Sequence, residues 1–175
     1  AQALARRVGD RALESRACAE ALRLDPRRFA ATFCVVRSAT EAGDFPRATE
    51  LLEGARQRGA PALELSRARA DLMVAEGRGD VGVGLVRGFL QTHRSDVPLM
   101  AALARLQLQA EEGNAADATA RQILARQAEH PEALYVRAYV AYVDGHFSSA
   151  ADLLDRISRG AGAHGVTLPL SARRA

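Results

Sequence analysis

Three tyrosines are the residues whose type and spacing most clearly indicate a binding surface. Tyr135, Tyr139 and Tyr142 are the only tyrosines in the 175-residue chain, and intervals of four and three residues place them on one face of a helix. A tyrosine ring combines a large apolar area with a polar tip, which suits the capture of a peptide. The alternative is that these rings pack against neighbouring helices, and the sequence leaves both interpretations open.

Residues that usually perform catalysis or bind metals form no such pattern. None of the four histidines has another metal-ligating residue four positions away or lies beside a cysteine, so we expect no metal site, no cofactor and no catalytic centre. Cys18 and Cys34 fall on apolar helix faces, which predicts buried free thiols. The segment Gly77-Arg-Gly-Asp-Val-Gly82 has the spacing of a dinucleotide-binding fingerprint, but a helical pattern precedes it where that site requires a strand.

The composition predicts an all-helical protein. The chain contains 37 alanines, 24 arginines and no lysine, and alanine and arginine both favour helices. Arginine without lysine is typical of a GC-rich bacterial genome. The net charge of +3 is small and the charges are interleaved, which argues against nucleic acid as a partner. The sequence contains no run of about 18 apolar residues, so we expect no membrane span.

The elements that must position the tyrosines come from an internal repeat. The glycines Gly9, Gly43, Gly77, Gly113 and Gly145 are separated by 34, 34, 36 and 32 residues. We expect each glycine to end one helix, as in 29–42, with a left-handed cap, and a second helix to follow, as in 46–58. Small residues five positions after the glycine, such as Ala48 and Ala150, would let the two helices approach closely. One such hairpin cannot bury its apolar stripe alone, which predicts a stack of hairpins.

The segments Glu41-Ala-Gly-Asp-Phe-Pro-Arg-Ala and Asp144-Gly-His-Phe-Ser-Ser-Ala resemble the tetratricopeptide repeat (TPR) family. The resemblance covers about residues 1–160. It implies an all-α, right-handed superhelical solenoid of helical hairpins whose first helices line a concave groove. It also implies a non-catalytic protein–protein interaction scaffold, with a protein or peptide as its partner.

The repeat pattern predicts a domain organisation. We expect a partial repeat at 1–28, whole repeats at 29–62, 63–98, 99–130 and 131–160, and a tail at 161–175. Because glycine weakens a helix interior, the glycine-rich second helix of the third unit, after Gly77, should be the softest.

The family resemblance and the repeat offsets together predict the residues of the groove. These are Tyr135, Tyr139, Tyr142, Phe33, Arg37, Thr40, Glu41, Arg67, Asp71 and Val74, and in the fourth unit Leu103, Gln107 and Ala110. Similar bacterial proteins serve in envelope assemblies such as exopolysaccharide export or secretion, which gives a cytoplasmic or envelope location and allows a membrane-protein partner. Two alternatives remain: a self-associating structural module and the non-catalytic arm of a larger enzyme.

Overall fold

A computed structural model describes the backbone of residues 2–164 and the side chains of residues 12–160. Within these residues the chain consists of helices joined by short turns, so the all-α prediction is confirmed. The helices are α1 (Gln2–Leu24), α2 (Phe29–Ala42), α3 (Phe45–Gln57), α4 (Ala62–Ala75), α5 (Gly79–Thr92), α6 (Val97–Gln109), α7 (Gly113–Leu124), α8 (Pro131–Val143) and α9 (Phe147–His164).

The first hairpin shows how capping residues set the helix boundaries. Gly43 ends α2 with a φ of 77°, a left-handed conformation that glycine adopts without a Cβ clash. The Asp44 carboxylate then accepts a hydrogen bond from the Arg47 amide and caps α3. Pro46 lies in the first turn of α3, where its missing N–H group costs no helical hydrogen bond. The predicted first helix at 29–42 is therefore confirmed.

The turns between paired helices recur at intervals of 34 residues. Their left-handed residues are Gly43, Gly77, Glu111 and Gly145. The prediction of Gly113 as the turn of the fourth unit is wrong, because Gly113 is the first residue of α7 and Glu111 takes the left-handed position with a φ of 59°. Five residues after Glu111 stands the buried Ala116, whereas Ala118, which the shifted register selected, is exposed.

The hairpins stack into a curved array. The first helices α2, α4, α6 and α8 contact one another in succession. The second helices α3, α5 and α7 each pack between two first helices, and within the described residues the backbones of the second helices do not approach one another. Because the first helices lie closer together, the array curves toward their side, which we call the inner face. Three buried clusters each join a hairpin to the next first helix, as Val36, Leu52 and Leu72 do for α2, α3 and α4, and a fourth lies between α8 and α9. Neighbouring repeats therefore stabilise one another.

Two of the glycines in α5 permit close packing against α6. A Cβ atom on Gly82 would lie 2.6 Å from Leu106 Cδ2, and a Cβ atom on Gly79 would lie 2.6 Å from the Ala110 backbone nitrogen. These glycines therefore let two helices approach, and weakening of α5 is expected only from those that face open space. The helix α4 precedes Gly77, as the sequence predicted, so this glycine segment lacks the strand of a dinucleotide site.

The N-terminal segment differs from the prediction in two respects. Helix α1 continues through Gly9, so the turn expected there is wrong. Cys18 and Cys34 are joined in a disulfide, with their Cα atoms 6.0 Å apart, so the prediction of buried free thiols is also wrong. Helix α1 packs along α2 as a second helix would, which brings two half-buried cysteines opposite each other. An ion pair between Glu14 and Arg37 joins the same two helices.

The predicted tail, residues 161–175, is only partly described. Helix α9 continues to His164, and residues 165–175 lie outside the described part of the chain.

Candidate functional site

The inner face is built from three positions on each first helix, counted back from the turn residue. Ten residues before the turn stand Phe33, Arg67, Ala101 and Tyr135; six before, Arg37, Asp71, Arg105 and Tyr139; three before, Thr40, Val74, Leu108 and Tyr142. Because these intervals are four and three residues, the three positions share one face of each helix. The predicted residues Phe33, Arg37, Arg67, Asp71 and the three tyrosines therefore lie in equivalent places, and the first helices bring them into neighbouring rows.

The sequence-based prediction for α6 is wrong because of the misplaced turn. Leu103 and Gln107 are buried, and Gln107 Oε1 accepts a hydrogen bond of 2.8 Å from the Thr119 hydroxyl. Both residues belong to the packing between α6 and its neighbours. The sequence-based prediction missed all three inner-face residues of α6, of which Arg105 is the charged one. A strict interval of 34 residues from Asp71 would have found it.

The N-terminal part of the inner face carries charges that join helices. The Arg67 Nε atom lies 3.1 Å from both carboxylate oxygens of Asp96, which in turn caps α6 by accepting the Leu99 amide at 3.0 Å. Burial alone would raise the pKa of Asp96, but the hydrogen bonds from Arg67 and Leu99 outweigh it and hold that pKa below its ordinary value. Arg67 thus fixes the start of α6. Phe33 is half-buried against the core between α2 and α4.

Charged residues also link the middle of the inner face to α8. Arg105 Nη2 donates to Asp71 Oδ1 at 3.0 Å, and Arg105 Nε lies 3.6 Å from Glu132 Oε2. Partial desolvation by the neighbouring helices raises the pKa of Asp71, and the charge of Arg105 opposes that shift. The side chain itself is 62% accessible to solvent, so we expect water to moderate the effect.

The three tyrosines differ in their surroundings. Tyr135 is half-buried against the cluster of Leu134, Ala138 and residues of α9, and burial, with a smaller contribution from Tyr139, raises its pKa. Tyr139 and Tyr142 are 46% and 62% exposed on the inner face. The Tyr142 ring also meets Phe147 edge to face, with centroids 5.6 Å apart. The tyrosine helix therefore presents two accessible rings and one that contributes to packing.

The described residues bring no three histidine, cysteine, aspartate or glutamate side chains together in a metal-binding arrangement. Across 2–164, no helix combines the length and the apolar character needed to cross a bilayer.

No protein-family model and no curated protein sequence matches this chain. Its fold is similar to that of several solved structures. MamA from Desulfovibrio magneticus RS-1, residues 41 to the end, matches with a TM-score of 0.64 and 10% identity over 91% of this chain and 90% of that one. A MamA RS-1 ArsTM double mutant matches with a TM-score of 0.63 and 10% identity, over 91% and 89%. YrrB, described as "a TPR protein with an unusual peptide-binding site", matches with a TM-score of 0.59 and 14% identity, over 92% and 83%. The predicted TPR solenoid fold is therefore confirmed.

Proposed function

We propose that this chain is a non-catalytic scaffold whose inner face binds a segment of a partner protein. The observation that carries the proposal is the exposure of Tyr139 and Tyr142 on a concave surface. Exposed aromatic rings in a concavity bury a large area at a small entropic cost when a peptide binds. The fold supports this role, because YrrB is described as having a peptide-binding site.

We further propose that the scaffold works in a bacterial envelope assembly, such as one for exopolysaccharide export or secretion. The disulfide between Cys18 and Cys34 supports this setting, because disulfides persist in oxidising compartments such as the bacterial periplasm and are rare in the cytosol. A membrane protein with a segment in the same compartment would be a suitable partner.

The test compares two double variants that each replace two exposed large side chains with alanine. Tyr139→Ala with Tyr142→Ala removes the rings from the inner face. Val81→Ala with Leu154→Ala acts on second helices, at side chains that are 48% and 43% exposed. Each immobilised protein is incubated with an extract of its own bacterium, retained proteins are quantified by mass spectrometry, and the affinity of the purified partner is then measured.

We expect the wild type and the second-helix variant to retain the same partner. The tyrosine variant should bind this partner with an affinity lower by about tenfold or more, as for a binding hot spot. Circular dichroism and Tm should change little in either variant. If the tyrosine variant loses its fold together with its partner, the rings serve packing. If partner binding is unaffected, the inner face is not the binding site.

Self-association is a second candidate, favoured by the C-terminal end of the stack. Val143 and Phe147 are 64% and 63% exposed there, whereas Phe45, which is equivalent to Phe147, packs against a core that includes Leu72 of the following first helix. An apolar end of this kind can accept the end of another copy. A mass that increases with concentration in light scattering, and that Phe147→Glu abolishes, would support self-association; a constant mass would exclude it.

A further inference from the structure

A row of three charged side chains crosses three consecutive first helices. Asp71 on α4, Arg105 on α6 and Glu132 on α8 form this acidic triad, with the arginine in the middle. Two carboxylates and one guanidinium leave the triad with a formal charge of −1. By contrast, Arg37 is paired with Glu14 and Arg67 with Asp96. The three arginines at the inner-face positions are therefore neutralised, and the triad retains one carboxylate in excess.

The exposure of the triad favours its carboxylates as the contact groups. The Asp71 and Glu132 side chains are 62% and 39% exposed, whereas Arg105 is 22% exposed. A molecule on the inner face thus meets two carboxylates and little of the cation beneath them. Arg105 Nε is also buried without a hydrogen-bond partner among the described residues. Since Glu132 Oε2 lies 3.6 Å from it, beyond hydrogen-bond distance, the Glu132 carboxylate is only loosely held.

The acidic triad adjoins the exposed rings. Glu132, Tyr135, Tyr139 and Tyr142 follow one another at intervals of three, four and three residues, which keeps them on one face of α8. Tyr139 also occupies the position on α8 that Arg105 occupies on α6. An acidic site and an aromatic site therefore lie side by side. The triad is negatively charged, whereas the net charge of the whole chain is +3. The negative charge is therefore a local property of this surface.

We infer that the inner face recognises a partner segment in which an arginine or lysine stands next to a large apolar or aromatic side chain. The cationic group contacts the exposed carboxylates of Asp71 and Glu132 on their solvent side, above the less exposed Arg105, and the apolar neighbour lies on Tyr139 and Tyr142. The tyrosine faces add attraction for a cation that lies over them. This inference rests on the proposed function, because it specifies the chemistry of the segment that the groove binds.

The first experiment selects ligands from a library of random peptides displayed on phage. The wild type should enrich peptides with arginine or lysine beside an aromatic or large aliphatic residue. Asp71→Asn with Glu132→Gln keeps hydrogen-bonding groups but removes two negative charges, so it should lose the enrichment of cationic residues and keep that of apolar ones. Tyr139→Ala with Tyr142→Ala should lose the apolar enrichment.

The second experiment measures the affinity of a peptide selected by the wild type, by fluorescence anisotropy at physiological ionic strength. Asp71→Asn with Glu132→Gln should weaken binding by about fivefold or more, as expected for the loss of two partly exposed ion pairs. The control, Asp152→Asn with Asp155→Asn, removes the same charge from exposed side chains of α9. It should change the affinity by less than about twofold.

The outcomes separate this inference from the proposed function. Enrichment without cationic residues, or an equal effect of the α9 control, overturns the inference, while dependence on the tyrosines would still support a peptide-binding groove. If the wild type enriches no peptide, or if neither inner-face variant alters the selection, both the inference and the proposed function fail.

Discussion

The N-terminal and C-terminal halves of the inner face use equivalent helix positions for different purposes. In the N-terminal half, on α2 and α4, the arginines connect helices: Arg37 pairs with Glu14 on α1, and Arg67 pairs with Asp96 at the start of α6. The disulfide from Cys34 to α1 acts in the same region. These side chains connect the helices of the stack, so few of their polar groups remain available to bind a ligand.

In the C-terminal half the same positions of α8 carry Tyr135, Tyr139 and Tyr142. Only Tyr135 packs against a core cluster, and the other two rings are largely exposed. Most of the core packing in this repeat array occupies other faces of each helix. Some inner-face side chains, such as Phe33 and Ala101, also contact the core, but the exposed ones are not required for burial. They can be used to brace the array, as in the N-terminal half, or remain available for a partner, as in the C-terminal half.

The largest expected effect is on the bracing of the N-terminal half. Replacing Cys18 and Cys34 with serine should lower the free energy of unfolding by about 3 kcal/mol, because the disulfide closes a loop with a sequence separation of 16 residues. Hydrogen exchange should show the loss in α1 and α2, with α8 and α9 little changed. Denaturant unfolding of the wild type with and without reductant measures the same difference.

The matched control is Glu14→Gln, which removes an exposed ion pair between the same helices and should cost at most about 1 kcal/mol. If reductant leaves the wild-type unfolding curve unchanged, the disulfide does not brace α1. If α8 and α9 lose protection to the same extent as α1, the two halves are not separately stabilised.

The second prediction concerns the contact of α5 with α6, where the halves meet. Gly82→Ala places a methyl group 2.6 Å from Cδ2 of the fully buried Leu106 and should lower the free energy of unfolding by about 1 to 3 kcal/mol through overpacking. Gly88 has no atom within 4 Å of its hypothetical Cβ, so Gly88→Ala should raise it by about 0.5 to 1 kcal/mol.

Chemical denaturation of both variants gives a result of opposite sign for the same substitution in the same helix. Equal stabilisation by the two alanines would show that α5 does not lie close to α6, and the two halves would then be joined by some other contact.

The repeat and its helices could be predicted from the sequence because their signals are local. Proline near a helix start and glycine at a turn restrict only a few backbone angles, and Gly43 ended α2 where the sequence placed it. The turn of the fourth unit was missed because Glu111 occupies a left-handed position that glycine favours. A residue with a side chain can take that conformation at a cost of about 1 to 2 kcal/mol. Tertiary packing can offset this cost, and such packing leaves no signal in the local sequence.

The candidate site was less accessible to sequence reasoning because it depends on register and on contacts between helices. An error of two residues in the predicted register of α6 assigned the buried Gln107 to the inner face. The same error left out Arg105, the residue that connects Asp71 to Glu132. The pairing of Cys18 with Cys34 required the packing of α1 on α2. The tyrosines were found because three of them on one helix face are visible without any tertiary information.

The smallest effect expected is a dependence on pH that distinguishes the caps of the two halves. Asp96 and His130 occupy equivalent N-cap positions on α6 and α8, and each accepts a hydrogen bond from an amide three residues later. The Asp96 pKa is held below its ordinary value, so this cap persists until the pH falls below about 4. Burial lowers the pKa of His130; the charge of Glu132 opposes this shift, and that of Arg105 reinforces it.

The direction of this pH effect depends on the pH at which His130 takes up a proton in the unfolded chain and in the folded chain. An unfolded histidine is protonated near pH 6.5, whereas burial of His130 in the folded chain disfavours its charged form and lowers its pKa, so it is protonated only at lower pH. The contribution of His130 is thus complete above about pH 6.5 and decreases as the pH falls through that value toward the folded pKa. His130→Asp, which copies the α6 cap, should reduce the drop in Tm between about pH 7.5 and about pH 5, while His146→Asn at an exposed site should keep the wild-type drop. If His130→Asp retains the full drop, titration of another group controls the acid sensitivity, and the caps of the two halves do not differ in the way their surroundings imply.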